Sequence, residues 1–101
     1  MKIILDDTRN LPKSGYNCCR SYDDCIALID ILRNDIDFIS LDYSLAEENT
    51  GYDVLVYMKE NNISPNHINI HSDHELGVPK MKKYAEYNFK NSIITINPLG
   101  K

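Results

Sequence analysis

A chain of 101 residues has room for one domain with one modest hydrophobic core, so 1–101 is expected to be a single unit. Its net charge of −4 argues against a broad polyanion-binding surface, which needs clustered Lys and Arg, and leaves room only for local contact with a nucleotide. No stretch approaches the roughly 20 apolar residues of a membrane span, and no positive-then-apolar order marks a signal peptide, which makes the cytoplasm the expected compartment.

In chain order, Lys2 to Leu5 is an apolar, β-branched run that stops at Asp6 and Asp7. "TRNLPKSG" follows, broken by Pro12 and Gly15 and too short for a full crossover helix, so a loop is expected there. "YNCCR" reads as a second short strand. Cys18, Cys19 and Cys25 are odd in number and lack CxxC spacing, which points to packing rather than to zinc or disulfides.

"SYDDCIALIDILRND" carries helical periodicity, with Tyr22, Cys25, Ile26, Ile29 and Leu32 on one face and Ser21 and Asp24 in capping-box spacing. "DFISLDYSL" is a third strand, apolar from Phe38 to Leu41 except at Ser40, with charge arriving at Asp42. An acidic loop then leads into "TGYDVLVYMKENN", a helix capped near Thr50 with Val54, Leu55 and Met58 inward. "HINIHS" is a fourth strand. "VPKMKKYAEYNF" is a helix with Pro79 in its first turn, and "SIITINP" a fifth strand stopped by Pro98.

Strands alternating with helices predict an α/β, flavodoxin-like or receiver-like three-layer sandwich: a five-stranded parallel sheet covered on both faces, with the first crossover helix reduced to a loop. Right-handed crossovers put every strand's C-terminal end along one edge, where ligands of such sheets bind. That edge collects Asp6 and Asp7 from the first strand, Asp42 from the third, His71 and Ser72 from the fourth and Asn97 from the fifth.

Like charges brought together need a cation or a proton. An oxygen-rich set suits magnesium, with manganese as the alternative, held by Asp6, Asp7 and Asp42. Arg9 has the fork geometry to grip a phosphate, Ser72 can donate to one, and His71 is the strand-end group whose reference pKa lies near neutrality, fit for general acid or base work. Singly, each aspartate is as readily a turn former and His71 a structural histidine. His71 and His74, three apart at a strand-to-loop junction, lack a defined zinc geometry. His67 is expected at the surface, Lys80, Lys82 and Lys83 on a solvated helix face, and Tyr84, Tyr87 and Phe89 in packing.

"IILDD", "LDY", a Gly-Tyr-Asp helix start and a terminal Asn-Pro resemble the receiver domain of two-component signalling. The loop in place of the first helix, the missing lysine before Pro98 and the histidine before Ser72 depart from it. The chain is more similar to the receiver-like cyclic-phosphate-processing family, through "LDDTRNLP" at 5–12, "LDYSL" at 41–45, "TGYD" at 50–53 and "HSDHELGVPKM" at 71–81.

That resemblance implies a metal-assisted phosphoesterase that binds and opens a cyclic phosphate on an RNA end or nucleotide. It assigns His71 and Asp42 to catalysis, Arg9, Ser72 and Tyr43 to the phosphate, and Asp6, Asp7 and Asp42 to the metal. Tyr43 and Ser44 stand where the family has His and Asp, and His74 and Glu75 where it has Asn and Pro. A non-catalytic phosphate-binding module, one that engages a protein partner, and a phosphoaccepting regulator are the alternatives.

Overall fold

A computed structural model of the chain describes residues 1–7 and 15–96. The elements run β1 (Lys2–Leu5), β2 (Asn17–Cys19), α1 (Tyr22–Leu32), β3 (Phe38–Leu41), α2 (Gly51–Glu60), β4 (His67–Ile70), α3 (Gly77–Asn88) and β5 (Ile93–Ile96). All five strands are parallel, in the order β2-β1-β3-β4-β5. The chain is therefore of the flavodoxin-like, receiver-like α/β class that the alternation of elements predicts. Of the expected loop, residues 8–14, with Arg9 and Pro12, lie outside the described residues, as do Asn97 and Pro98, while Gly15 at its end has a positive φ of 82°.

Local chemistry sets the helix starts. Ser21 Oγ accepts the Asp24 amide at 3.2 Å, capping α1. At α2 the Asp53 carboxylate reaches back to the Thr50 amide at 2.8 Å, the reciprocal half of a capping box. Pro79 sits in the first turn of α3, where its lack of an N–H costs no helical bond.

The pleat sorts the strand residues into two faces. Ile3, Leu5, Ile39, Leu41, Ile68 and Ile70 join one core cluster with Cys25 and Ile29 of α1, Val54, Leu55 and Met58 of α2, and Met81 and Ala85 of α3. Each fully buried aliphatic side chain of this kind contributes about 1.5–3 kcal/mol. All three helices thus lie on one face. The reason is topological: β2→β3, β3→β4 and β4→β5 all step the same way across the sheet, so right-handed crossovers put their helices on the same side. Of the two covering layers expected, the described residues supply this one.

The opposite face carries Ile4 and Asp6 from β1 and its end, Phe38, Ser40 and Asp42 from β3, and His67, Asn69 and His71 from β4, with Thr95 registered beside Asn69. At its lower end, rings of Tyr16, Phe38 and His67 form a row, with centroids 6.3 and 4.9 Å apart. His67 is not a surface residue, as its place at a strand start suggested, but half-buried against Phe38 and bonded to Thr95. No helix among the described residues is long and apolar enough to cross a membrane.

Candidate functional site

Three backbone bonds carry the parallel ladder one residue past the strands. The Asp6 amide donates to Cys19 O at 3.1 Å, the Asp42 amide to Leu5 O at 3.1 Å, and the His71 amide to Leu41 O at 3.0 Å. Asp6, Asp42 and His71 therefore stand in register at the C-terminal edge, on the face away from the helices. Since β2 lies to one side of β1 and β3 to the other, this is also where the strand order reverses, the crevice in which open α/β sheets hold ligands.

One potential ligand atom from each of the three lies within 4.8 Å of the others. Asp6 and His71 are fully buried and Asp42 is half-exposed, so the trio has a dry inner end and a wet outer one. His71 Nε2 lies 3.0 Å from Asp6 Oδ2, and its Nδ1 lies 2.6 Å from Ser40 Oγ. A buried carboxylate without a charged or hydrogen-bonding partner is strongly unfavourable, and His71 provides that partner. Two carboxylates and an imidazole at this spacing form a mixed oxygen and nitrogen donor set suited to a divalent cation.

Asp7 takes a different direction. Successive side chains of an extended segment point to opposite sides, and the Asp7 carboxylate accepts the Ala46 amide at 2.7 Å, which ties the turn after β1 to the acidic loop before α2. It lies outside the trio. Ser72 is half-buried next to His71, and its hydroxyl accepts the His74 amide at 3.2 Å. The Tyr43 ring packs on the His74 ring, centroids 4.5 Å apart, and His74 Nδ1 accepts the Gly77 amide at 2.8 Å, securing the start of α3.

Two glycines let these segments close in. A methyl group at Gly51 would overlap the Asp42 carbonyl, and one at Gly77 would overlap the Tyr43 ring. Gly51 also donates its amide to Tyr43 O at 3.0 Å. The starts of α2 and α3 are thereby fitted against the chain that carries Asp42 and Tyr43.

Behind His71 lie polar residues that the sequence reading did not single out. Ser40 Oγ accepts from Asn69 Nδ2 at 2.9 Å, Asn69 Oδ1 accepts from Thr95 Oγ1 at 2.6 Å, and Thr95 Oγ1 lies 2.7 Å from His67 Nε2. Ser40 and Asn69 are buried. A signal for them exists in the strict alternation His-Ile-Asn-Ile-His over residues 67–71, which places three polar side chains on one face of a buried strand.

The family model described as the cyclic-phosphate processing receiver domain matches residues 1–87, from β1 into the last turn of α3. The match takes in Asp6, Asp7, Arg9, Asp42, Tyr43, His71 and Ser72. No match was found among the curated proteins or among the solved structures.

Proposed function

Because the chain belongs to the cyclic-phosphate processing receiver domain family, we propose that it is a phosphoesterase that opens a cyclic phosphate on a nucleotide or RNA end, acting in the cytoplasm. The observation that carries this reading is the convergence of Asp6, Asp42 and His71 at the switch-point edge. A divalent cation held there would neutralise the non-bridging oxygens of the phosphate. With one imidazole in the donor set, manganese fits at least as well as magnesium, which prefers oxygen ligands and retained waters.

The chain's own residues divide the rest of the work. Asp42, the half-exposed member, accepts a proton from the attacking water. Where the cation is held by the carboxylates alone, His71 Nε2–H supplies a proton to the ring oxygen that leaves phosphorus, so the ester bond breaks without releasing a bare alkoxide; where Nε2 is itself a ligand, water supplies that proton. Asp6 holds the imidazole from the buried side. Arg9, Ser72 and Tyr43 are assigned to the phosphate, Asp7 to the loop that borders the site.

The test is turnover of 2′,3′-cyclic nucleotides and of RNA with a cyclic end, in magnesium and in manganese, by wild type and by Asp42→Asn and His71→Gln. Opening of the ring by wild type, lost in both variants, supports the reading. Binding without turnover under either cation supports a non-catalytic phosphate-binding module instead. The packing of Tyr43 on His74 and against Gly77 favours that second reading, since the position where the family carries a histidine is occupied here by a ring engaged in packing.

A further inference from the structure

Five hydrogen bonds in series run across the sheet from the site to the start of β4: Asp6 to His71, His71 to Ser40, Ser40 to Asn69, Asn69 to Thr95, and Thr95 to His67. Proton counting gives the series a direction. A hydroxyl has one proton. That of Thr95 is donated to Asn69 Oδ1, so His67 must be the donor in its bond to Thr95, through Nε2–H. Ser40 receives a proton from Asn69 Nδ2 and has its own to donate to His71 Nδ1. His71 then carries its proton on Nε2, facing Asp6. Every donor points toward Asp6, and bonds aligned in this way polarise one another.

Each link between the two histidines is also able to run backwards. Ser and Thr hydroxyls donate or accept, imidazole exchanges tautomers, and a half-turn of the Asn69 amide exchanges its oxygen and nitrogen. In the reversed order His71 Nδ1–H donates to Ser40, Ser40 to Asn69 Oδ1, Asn69 Nδ2 to Thr95, and Thr95 to His67 Nε2. The four bonds between the two histidines are remade in the opposite sense, while the bond from His71 Nε2–H to Asp6 gives way to a lone pair facing the site. The two orders differ in what they present to the site: the first a protonated Nε2, the second a bare Nε2 lone pair. A metal ligand needs the second, with its other ring N–H held by a hydrogen-bond acceptor.

We propose that Ser40, Asn69 and Thr95 are positioning residues forming a reversible relay that sets the tautomer of His71, and that a cation taken up by Asp6, Asp42 and His71 reverses it and changes the tautomer of His67 at the opposite end of β4. The cation half rests on the site reading above, whereas the metal-free direction does not depend on any activity.

The experiment is long-range 1H–15N correlation of the imidazoles, which reads the protonation of each ring nitrogen separately, in the full chain at about pH 8.5. It is run metal-free and with magnesium or zinc as diamagnetic probes, on wild type and Thr95→Val. The metal-free protein should show the proton on Nε2 of both His67 and His71, and saturation with cation should move it to Nδ1 in both. In Thr95→Val the His67 response should be lost while that of His71 persists. A metal-free His71 with its proton on Nδ1 overturns the polarity. A cation-induced change at His71 with His67 unmoved in wild type, or no change at His71 with either cation, overturns the relay. The wild-type spectra decide this if the variant does not fold, and an absence of phosphoesterase turnover leaves the result standing.

Discussion

The Asp7 carboxylate holds the Ala46 amide at 2.7 Å while its neighbour Asp6 is buried against His71 at 3.0 Å, so two adjacent aspartates turn to different partners. Substitution should separate them. Asp7→Ala removes an exposed hydrogen bond and is expected to cost about 0.5–1.5 kcal/mol in urea unfolding, with manganese affinity retained. Asp6→Ala should weaken manganese binding, followed by electron paramagnetic resonance, by about 10–100-fold. Equal losses in both variants would put Asp7 on the cation as well.

Gly77 and Tyr43 form a contact that tolerates no methyl group between them. Gly77→Ala is expected to destabilise the fold by about 1–3 kcal/mol through overpacking. Tyr43→Ala opens space at the same point, so the double variant should be less destabilised than the summed singles, with a coupling of about 0.5–3 kcal/mol in denaturant unfolding. Additive losses would mean that the two residues act independently.

Tyr57 joins α2 to α1 through its hydroxyl, 2.7 and 2.8 Å from the two oxygens of Asp30. Donating to that carboxylate, with smaller contributions from desolvation and from the Asp30 charge, raises the phenol pKa above its usual value of 10.0. A phenol whose pKa is raised on folding contributes stability below its unfolded pKa and loses it as the pH climbs through the folded one. The melting temperature of wild type should therefore exceed that of Tyr57→Phe from neutral pH to about pH 9, and the difference should shrink above pH 10. A difference that does not change with pH would assign the Tyr57 effect to packing.

Cation binding should also appear in the stability of the whole chain. At a free concentration 100 times its dissociation constant, a cation bound only by the folded state adds about 2.7 kcal/mol. For a domain of this size that corresponds to a rise in melting temperature of about 10–20 °C. Manganese should produce it, a chelator should abolish it, and Asp42→Asn should blunt it.

The sheet edge was legible because each of its residues ends an apolar run. Asp6, Asp42 and His71 follow Leu5, Leu41 and Ile70 directly, and a parallel sheet puts such ends on one edge whatever the order of its strands, with β1, β3 and β4 as neighbours bringing these three together. The opposite directions of Asp6 and Asp7 were not, because they depend on the pleat phase of the strand rather than on its composition. Ser40, Asn69 and Thr95 were less legible still. They come together only because β3, β4 and β5 are neighbours in a register that pairs Ser40 with Asn69 and Asn69 with Thr95. That register cannot be read from one strand at a time. The one-sided placement of the helices likewise follows from strand order, which the alternation of elements leaves open.

The two faces of β4 imply opposite rules for what each position can become. Ile68 and Ile70 meet the helices through shape and volume, and exchange for another aliphatic side chain of similar size there should cost less than about 1.5 kcal/mol. Asn69 lies between them, and what its position demands is a pair of lone pairs and a pair of protons aimed in opposite directions. Leucine, nearly its match in outline, satisfies neither demand. Along the four residues of β4 and His71 after it, permissiveness should alternate with strictness at every step, so a saturation library across 67–71 would show the pleat as a comb of tolerated and rejected positions.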